Sequence, residues 1–210
     1  MAQQLTQPLV LLISGWTSGI SIYLTIAVLG ISGRMGWIDL PGGDNVFTNL
    51  LIIGAAIAIY VIEFVADKVP FVDSAWDSVH TFIRPLGAAW IGYAAGVDQG
   101  IVAQTLYAML TGTIALGTHA TKATTRLAIN TSPEPFSNIA ASVVEHSAVL
   151  FIFWFFIKHP ILAALLVVTV LVLSFLLVRA LWRFAKSLFG GRRTAKDIRA
   201  DLDTKSAAVS

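Results

Sequence analysis

The sequence contains no cysteine, which excludes disulfide bridges, cysteine-ligated zinc or iron–sulfur centres, and thiol chemistry. Charged residues are also scarce: they make up 12% of the 210 residues, whereas hydrophobic residues make up 56%. In a soluble domain roughly a quarter of all residues are charged, because the surface must be hydrated. Long hydrophobic runs are present instead. The composition therefore excludes an ordinary soluble domain and predicts an integral membrane protein.

Six stretches are predicted to cross a membrane as helices, because about 20 mostly apolar residues cross a hydrocarbon core of roughly 30 Å. The third stretch is short, so its helix must begin earlier, near Val79, unless the bilayer is locally thinned. The six predicted spans cover residues 8–32, 46–62, 85–97, 99–118, 136–157 and 160–178.

The positions of the 14 lysines and arginines support this count, since cytoplasmic loops are enriched in these residues. Six spans with both termini in the cytoplasm leave only Arg34 and Lys158 outside. Omitting the short third span would place the basic residues of the two inner connections on opposite sides. The sequence therefore predicts an all-α, polytopic membrane helix bundle in residues 1–186, followed by a basic, disordered cytoplasmic tail in residues 187–210.

The first inner connection carries charges at helical spacing. Asp73, Asp77, His80 and Arg84 recur at intervals of three and four residues, so a helix places all four on one face. Such a helix could lie in the membrane interface, but interfacial helices are usually basic, and acidic side chains are repelled by anionic headgroups. We therefore expect this face to turn inward and line a polar cavity. The same binding set is expected to include Glu63, Asp67 and Lys68.

The second inner connection continues the pattern with basic residues. His119, Lys122 and Arg126 lie three and four residues apart on one predicted helical face, and two prolines then end the helix. Asn130 and Asn138 flank this proline-broken segment and complete the predicted ion- or substrate-binding set.

The two inner connections also match each other at a spacing of 54 residues. Two interpretations are open: an internal duplication, or chance similarity. In a duplication each unit would contain two spans, so the two repeats would be parallel and related by a two-fold axis along the membrane normal. The matched pairs are Ala66 and Ala120, Lys68 and Lys122, Ser78 and Ser132, and Phe82 and Phe136.

Glu145 and His146 lie inside the fifth predicted span, where a buried carboxylate costs at least about 2.5 kcal/mol. Two interpretations are open. Glu145 is either in a structural ion pair with a basic residue of another helix, or it titrates and couples proton movement to transport. His146 would relay protons in the second case and donate a packing hydrogen bond in the first.

The two polar segments carry a family resemblance. The strings ADKVPFVDSAWDSVHTFIRP (residues 66–85) and KATTRLAINTSPEPFSN (residues 122–138) resemble the signature segments of a bacterial inner-membrane family catalogued as a domain of unknown function, number forty-one twenty-six. The likeness extends over most of the chain. It implies an integral protein of the bacterial inner membrane and no established chemistry, so it assigns no catalytic role to any residue.

Three functions fit these features. The favoured one is a small transporter or channel for an ion or small polar solute, which proton movement could drive. The first alternative is an accessory or scaffold subunit of a larger membrane complex. The second is a metal-dependent enzyme acting on a phosphorylated lipid, with Asp67, Asp73 and Asp77 holding Mg²⁺. No second aspartate-rich motif completes a two-metal pattern, so we expect no enzyme activity, no metal site and no cofactor.

The expected partners are membrane lipids and either a homo-oligomer or a larger membrane complex. Nucleic-acid binding is not expected, because the basic tail is short and lacks interleaved aromatic residues.

Overall fold

The computed structural model describes residues 2–40, 46–69, 71–130 and 135–190. Within these ranges the chain forms seven α-helices, one short 3₁₀ helix and no β-strand, which confirms the all-α prediction. The α-helices are α1 (Ala2–Ile20), α2 (Ile22–Arg34), α3 (Leu50–Ala66), α4 (Val72–Ala95), α5 (Ile101–Ile129), α6 (Pro135–Lys158) and α7 (Pro160–Gly190), and the 3₁₀ helix Val97–Gln99 lies between α4 and α5.

Within the described residues, three helices are long and apolar enough to cross a membrane, namely α5, α6 and the first part of α7. Helices α2 and α3 are also apolar but shorter. Large apolar side chains lie on the outside of these helices; Leu51 of α3, for example, is 82% exposed. Apolar surface of this extent is compatible with a membrane protein, whose helices are covered by lipid.

The first predicted span, residues 8–32, is divided into two helices at Ser21. Ser21 has an extended backbone (φ −152°, ψ 108°), and its hydroxyl oxygen accepts a hydrogen bond from the Leu24 amide at 3.2 Å. It thus caps the start of α2. Helix α2 then folds back along α1, because Leu11 and Leu29 line the same small cavity, whereas one straight helix would hold them roughly 27 Å apart. The prediction of a single crossing helix here is wrong, and α1 and α2 form a helical hairpin.

The hairpin brings the start of α1 to the same end of the bundle as the 3₁₀ helix. The Gln99 side-chain amide donates to the Gln7 side-chain oxygen at 2.7 Å. Val10 also lines a surface cleft with Trp37 and Pro160. An alternation of six spans would place residues 7 and 99 at opposite ends. The reversal at Ser21 is caused by contacts with residues far away in the sequence. The uncharged run itself therefore gives no indication of it.

Helix α4 unites the amphipathic segment and the short third predicted span. It is continuous through Pro85 and has 24 residues, or about 36 Å, so it begins at Val72 and not near Val79. Four of its polar side chains are buried, which confirms that they share one inward-facing side. These residues are Asp73, Asp77, His80 and Arg84.

Small residues allow α1, α4 and α5 to approach closely. A β-carbon at Gly19 of α1 would lie 2.6 Å from the Ala115 carbonyl oxygen of α5. A β-carbon at Gly92 of α4 would collide with the Tyr107 carbonyl oxygen of α5. Close packing at small residues is the usual way in which membrane helices associate. It places α5 beside both α1 and α4, and so brings their polar residues together.

An apolar core joins the hairpin to α4, α6 and α7. Its most deeply buried members include Ile13, Leu29, Val149, Phe153 and Val167, none of which is more than 2% exposed.

The chain divides into two compact units, Met1–Ser174 and Phe175–Ser210, and every site feature described below lies in the first. The internal repeat gains no support, since Lys68 follows the end of α3 whereas its counterpart Lys122 lies within α5. Residues 187–190 of the predicted tail belong to α7, and residues 191–210 lie outside the described residues.

Candidate functional site

Eight charged side chains among the described residues form one connected network, which we call the ionic cluster. It draws on α3, the connection after it, α4, α5 and α6. Seven members are buried, and the side chain of the eighth, Glu145, is 17% exposed. The ionic cluster consists of five carboxylates and three cations: Glu63, Asp67, Asp73, Asp77, Glu145, Arg84, Lys122 and Arg126.

Arg84 holds one half of the ionic cluster together. Its Nη2 lies 2.8 Å from Glu63 Oε1, and its Nη1 lies 2.9 Å from Asp77 Oδ1. The side chain is fully buried, where an unpaired guanidinium would be strongly destabilising. The contact with Glu63 joins α4 to α3. The burial of Arg84 depends on the two carboxylates, and their burial depends on Arg84.

Lys122 connects the two halves. Its Nζ lies 2.9 Å from Asp67 Oδ2 and 3.5 Å from Glu145 Oε2. Burial is the largest single influence and would raise the pKa of the Asp67 carboxyl, but the charges of Lys122, Arg84 and Arg126 together outweigh it and hold the pKa below its ordinary value. Asp67, which follows α3, is therefore kept as a carboxylate.

Arg126 forms a two-bond pair with Glu145. Its Nη2 lies 2.7 Å from Glu145 Oε2, and its Nε donates to Glu145 Oε1 at 3.1 Å. Of the two interpretations of Glu145, the ion pair between helices is the one seen in the structure. A role of Glu145 and His146 in proton coupling stays a prediction.

Asn130 and Asn138 belong to the same site. The Asn130 amide donates to Asp73 Oδ2 at 3.1 Å, and the Asn138 amide donates to Asn130 Oδ1 at 2.6 Å. Arg126 Nη1 in turn donates to Asn138 Oδ1 at 3.2 Å. The ends of α5 and α6 are thus linked to the ionic cluster through side-chain amides.

Lys68 lies beside the ionic cluster and takes a different role from the other predicted residues. Its Nζ donates to the Phe64 carbonyl oxygen at 2.7 Å and to Ser142 Oγ at 3.3 Å. It also lies 2.9 Å from the centre of the Phe64 ring, a cation–π contact. Lys68 therefore packs the α3 end against α6.

The ionic cluster also holds the turn of the hairpin. The Ser21 hydroxyl donates to Glu63 Oε2, and Lys122 Nζ donates to the Ile20 carbonyl oxygen at 3.3 Å. Since the Leu24 amide bonds to Ser21 Oγ, the Ile20 carbonyl lacks the helical partner it would otherwise have. One anionic and one cationic member of the ionic cluster therefore stabilise the break between α1 and α2.

His119 contacts the ionic cluster as a neutral acceptor. Arg84 Nη1 lies 2.6 Å from His119 Nδ1, and because arginine can only donate, this nitrogen carries no proton. The Thr81 hydroxyl donates to the Asp77 carbonyl oxygen, so Thr81 Oγ1 accepts from His119 Nε2 at 3.0 Å.

His80 and His146 have the opposite tautomer. Their Nδ1 atoms lie 2.8 Å and 2.7 Å from the carbonyl oxygens of Trp76 and Ser142, which can only accept, so Nδ1 carries the proton. In His80 this leaves Nε2 to accept from the Tyr23 hydroxyl at 3.1 Å.

A cleft of about 230 Å³ lies between α4 and α5 and reaches the ionic cluster. Asp77 and Arg126 both line it, together with small polar residues of α4. We predicted a polar cavity surrounded by the charged groups. The charged groups instead contact one another directly, because arginine and lysine side chains are long enough to bridge between helices, and the open space lies to one side.

Two residues of the site are not in the predicted binding set. Helical spacing places His119 on the same predicted face as Lys122 and Arg126, but spacing alone gives it no binding role. Ser21 lies among small residues in an uncharged run, which indicates close helix packing and nothing about a contact with Glu63.

Comparison with known proteins identifies the family. No curated protein and no solved structure shows significant similarity to the chain. One family model, described as "Domain of unknown function (DUF4126)", matches residues 9–180 and so includes the whole ionic cluster. This confirms the resemblance seen in the two polar segments. The chain belongs to the DUF4126 family.

Proposed function

We propose that this protein is a small transporter of the bacterial inner membrane, in which the ionic cluster binds a proton or another cation during translocation. The solute is a cation or a small polar molecule moved with one. The proposal assigns the protein no enzyme activity and takes membrane lipids as its surroundings.

In this proposal α3 to α7 cross the membrane, and the α1–α2 hairpin enters and leaves it from one side. Arg34 and Lys158 remain at the end that contains Gln99, and the basic residues of both inner connections remain at the other end. The charge asymmetry that favoured six spans thus fits this arrangement equally well. Residues 1–7 contain no lysine or arginine, so nothing opposes their placement outside.

The charge balance of the ionic cluster is the observation that carries the proposal. In the described part of the chain, the five carboxylates of the ionic cluster face three cations, while Lys68 beside them contacts the Phe64 carbonyl and Ser142. The ionic cluster therefore has two surplus negative charges when all its members are ionised. An uncompensated buried charge costs several kcal/mol, so the ionic cluster favours the uptake of protons or a cation from water. A network that only held helices together would gain nothing from such a surplus.

A change in this charge reaches the hairpin through two direct contacts. Protonation of Glu63 would weaken its pairing with Arg84 and alter its hydrogen bond with Ser21. Displacement of Lys122 would release the Ile20 carbonyl. Broken helices are a recurrent feature of transporters, because their exposed backbone groups can coordinate an ion within the membrane.

The cleft between α4 and α5 supplies a route to the ionic cluster. It has room for several water molecules, since one water occupies about 30 Å³ of liquid. Because Asp77 and Arg126 line it, an ion that entered would meet a carboxylate and a cation at once.

Flux measurements in proteoliposomes test the proposal. Purified protein is reconstituted with an internal pH-sensitive or cation-sensitive dye, and a gradient is imposed. We expect flux above that of empty vesicles, reduced at least about tenfold by Glu63→Gln, which corresponds to about 1.4 kcal/mol. Asp98→Asn in the exposed 3₁₀ helix is the matched control and should leave the flux unchanged.

Glu145→Gln is a second, milder variant, since Glu145 is partly exposed. The proposal is refuted if the wild-type protein moves no proton, cation or anion faster than empty vesicles and Glu145→Gln changes nothing. Co-purification at fixed stoichiometry with a larger complex would then favour the accessory role.

A further inference from the structure

We infer that Asp67, Asp73 and Asp77 form a binding site for a divalent cation that prefers oxygen ligands. The site lies where the connection after α3 meets the first two turns of α4. It departs from the sequence-based expectation of no metal site. It also goes beyond the proposed transport function, because it concerns an ion bound at equilibrium, whether or not that ion is moved.

The geometry of the three carboxylates suits one ion. One oxygen from each lies within 4.8 Å of one oxygen from each of the others. Two oxygens on opposite sides of a Ca²⁺ ion are about 4.8 Å apart, because each lies about 2.4 Å from the metal. The three carboxylates are therefore close enough together to share one ion of this size.

Each carboxylate has one oxygen to spare. Asp67 Oδ1, Asp73 Oδ1 and Asp77 Oδ2 are buried and have no hydrogen-bond partner among the residues that the structure describes. The three side chains are no more than 5% exposed, and a buried acceptor without a partner costs about 1–3 kcal/mol. The second oxygen of each is anchored, by Lys122, Asn130 and Arg84 respectively.

A side chain outside the acidic group supports the same site. His146 is 3% exposed, and its Nδ1 proton is donated to the Ser142 carbonyl, which leaves a lone pair on Nε2. Nε2 has no hydrogen-bond partner in the described part of the chain and lies 3.9 Å from Asp67 Oδ2. Lys122 Nζ neutralises Asp67 Oδ2 but leaves His146 Nε2 as a buried acceptor without a donor. Histidines that ligate a metal usually have the other ring nitrogen fixed by an acceptor, as the Ser142 carbonyl fixes Nδ1 here.

The charge of the proposed ion follows from the pairing within the ionic cluster. Glu63 pairs with Arg84, and Glu145 pairs with Arg126. The three aspartates and Lys122 then carry three negative charges and one positive charge. Their net charge is minus two. One divalent cation would neutralise it completely, whereas one monovalent cation would leave a charge of minus one.

Titration with Mn²⁺ tests the inference on the full-length protein in detergent after treatment with EDTA. Calorimetry and the paramagnetic resonance signal of free Mn²⁺ should show one bound ion per chain, with Ca²⁺ and Mg²⁺ competing. Asp73→Asn should weaken the affinity at least tenfold. Asp73 is the best position to change, because its nearest cation, Arg126 Nε, is 4.0 Å away and no short ion pair is lost.

Asp98→Asn controls for the loss of one negative charge. It removes a charge in the exposed 3₁₀ helix, outside the ionic cluster, and should keep the Mn²⁺ affinity of the wild-type protein. A measurement without any variant is the unfolding temperature of the wild-type protein, which should rise with Mn²⁺ concentration.

The inference is overturned if the wild-type protein binds no Mn²⁺, Ca²⁺ or Mg²⁺, or if Asp73→Asn and Asp98→Asn bind Mn²⁺ equally. Mn²⁺ binding without flux in proteoliposomes would leave the site standing and refute the transporter. Flux without binding of any divalent ion would support the transporter and refute the divalent-cation site.

Discussion

Among single residues, Arg84 has the most demanding surroundings. It is fully buried and contacts Glu63, Asp77 and His119. A buried ion pair adds little stability by itself, because both groups lose their hydration. Removal of one partner, however, leaves the others buried without compensation. Substitution of Arg84 should therefore lower the free energy of unfolding strongly, although its ion pairs are not the main source of that free energy.

We expect Arg84→Gln to destabilise the protein by about 3–5 kcal/mol, since Glu63 and Asp77 would keep their charge without a partner. Unfolding in detergent, followed by tryptophan fluorescence, measures the change. Arg34→Gln is the control, because Arg34 is exposed and its contact in the described part of the chain is a hydrogen bond of 3.3 Å to the Thr48 carbonyl. It should change the stability by no more than about 0.5 kcal/mol. Equal effects of the two variants would contradict the assigned role of Arg84.

Each of the three buried histidines should have one fixed tautomer, and that of His119 should differ from that of His80 and His146. In ¹⁵N NMR spectra of protein labelled at histidine, His119 should carry its proton on Nε2, and His80 and His146 should carry theirs on Nδ1. Single His→Gln variants assign the signals. A proton on Nδ1 of His119 would be incompatible with the contact from Arg84, because both atoms would then be donors.

At the scale of helices, the α1–α2 hairpin depends on how closely α1 packs against α5. Gly19 is central to this contact, because its backbone faces that of Ala115 and His119. The same close approach places Lys122 within reach of the Ile20 carbonyl. The packing of two helices and the electrostatics of the helix break are therefore coupled.

We expect Gly19→Ala to destabilise the protein by about 1–3 kcal/mol, because the added methyl group overlaps with the backbone of α5. Gly54→Ala is the matched control, since a β-carbon at Gly54 meets nothing within 4 Å. It should be neutral or stabilise α3 by up to about 1 kcal/mol, through the better helix propensity of alanine. Denaturant unfolding of both variants makes the comparison, and a more stable Gly19→Ala protein would rule out the close contact.

At the scale of the whole molecule, the hairpin decides which ends of the helices share a membrane face. Gln7 contacts Gln99, whereas Phe71 lies at the opposite end of α4, about 36 Å away along the helix axis. The absence of cysteine makes this arrangement easy to examine, because each introduced thiol is the only one in the chain.

In sealed vesicles of one orientation, a membrane-impermeant maleimide should label Gln7→Cys and Gln99→Cys from the same side. Phe71→Cys, whose native side chain is 72% exposed, should be labelled from the other side. Labelling of Gln7→Cys together with Phe71→Cys would restore the arrangement of six alternating spans and contradict the hairpin.

Periodicity was enough to predict much of the site, because helical spacing is a local property. The intervals between Asp73, Asp77 and Arg84 require one helical face, and the same holds for Lys122 and Arg126. Composition likewise determined the all-α class, since apolar runs of this length satisfy their backbone groups only as helices. The substrate-binding role assigned to these residues stays a prediction.

The pairing of these faces, and the reversal at Ser21, were decided only by the tertiary structure. The groups that stabilise the break, Glu63 and Lys122, lie 42 and 102 residues away from their partners Ser21 and Ile20. No local pattern contains that information, because an uncharged run can cross a membrane or fold back at equal hydrophobic gain. Helical periodicity is enough to predict which side chains face inward, whereas contacts between distant helices fix which of them meet and where the first helix ends.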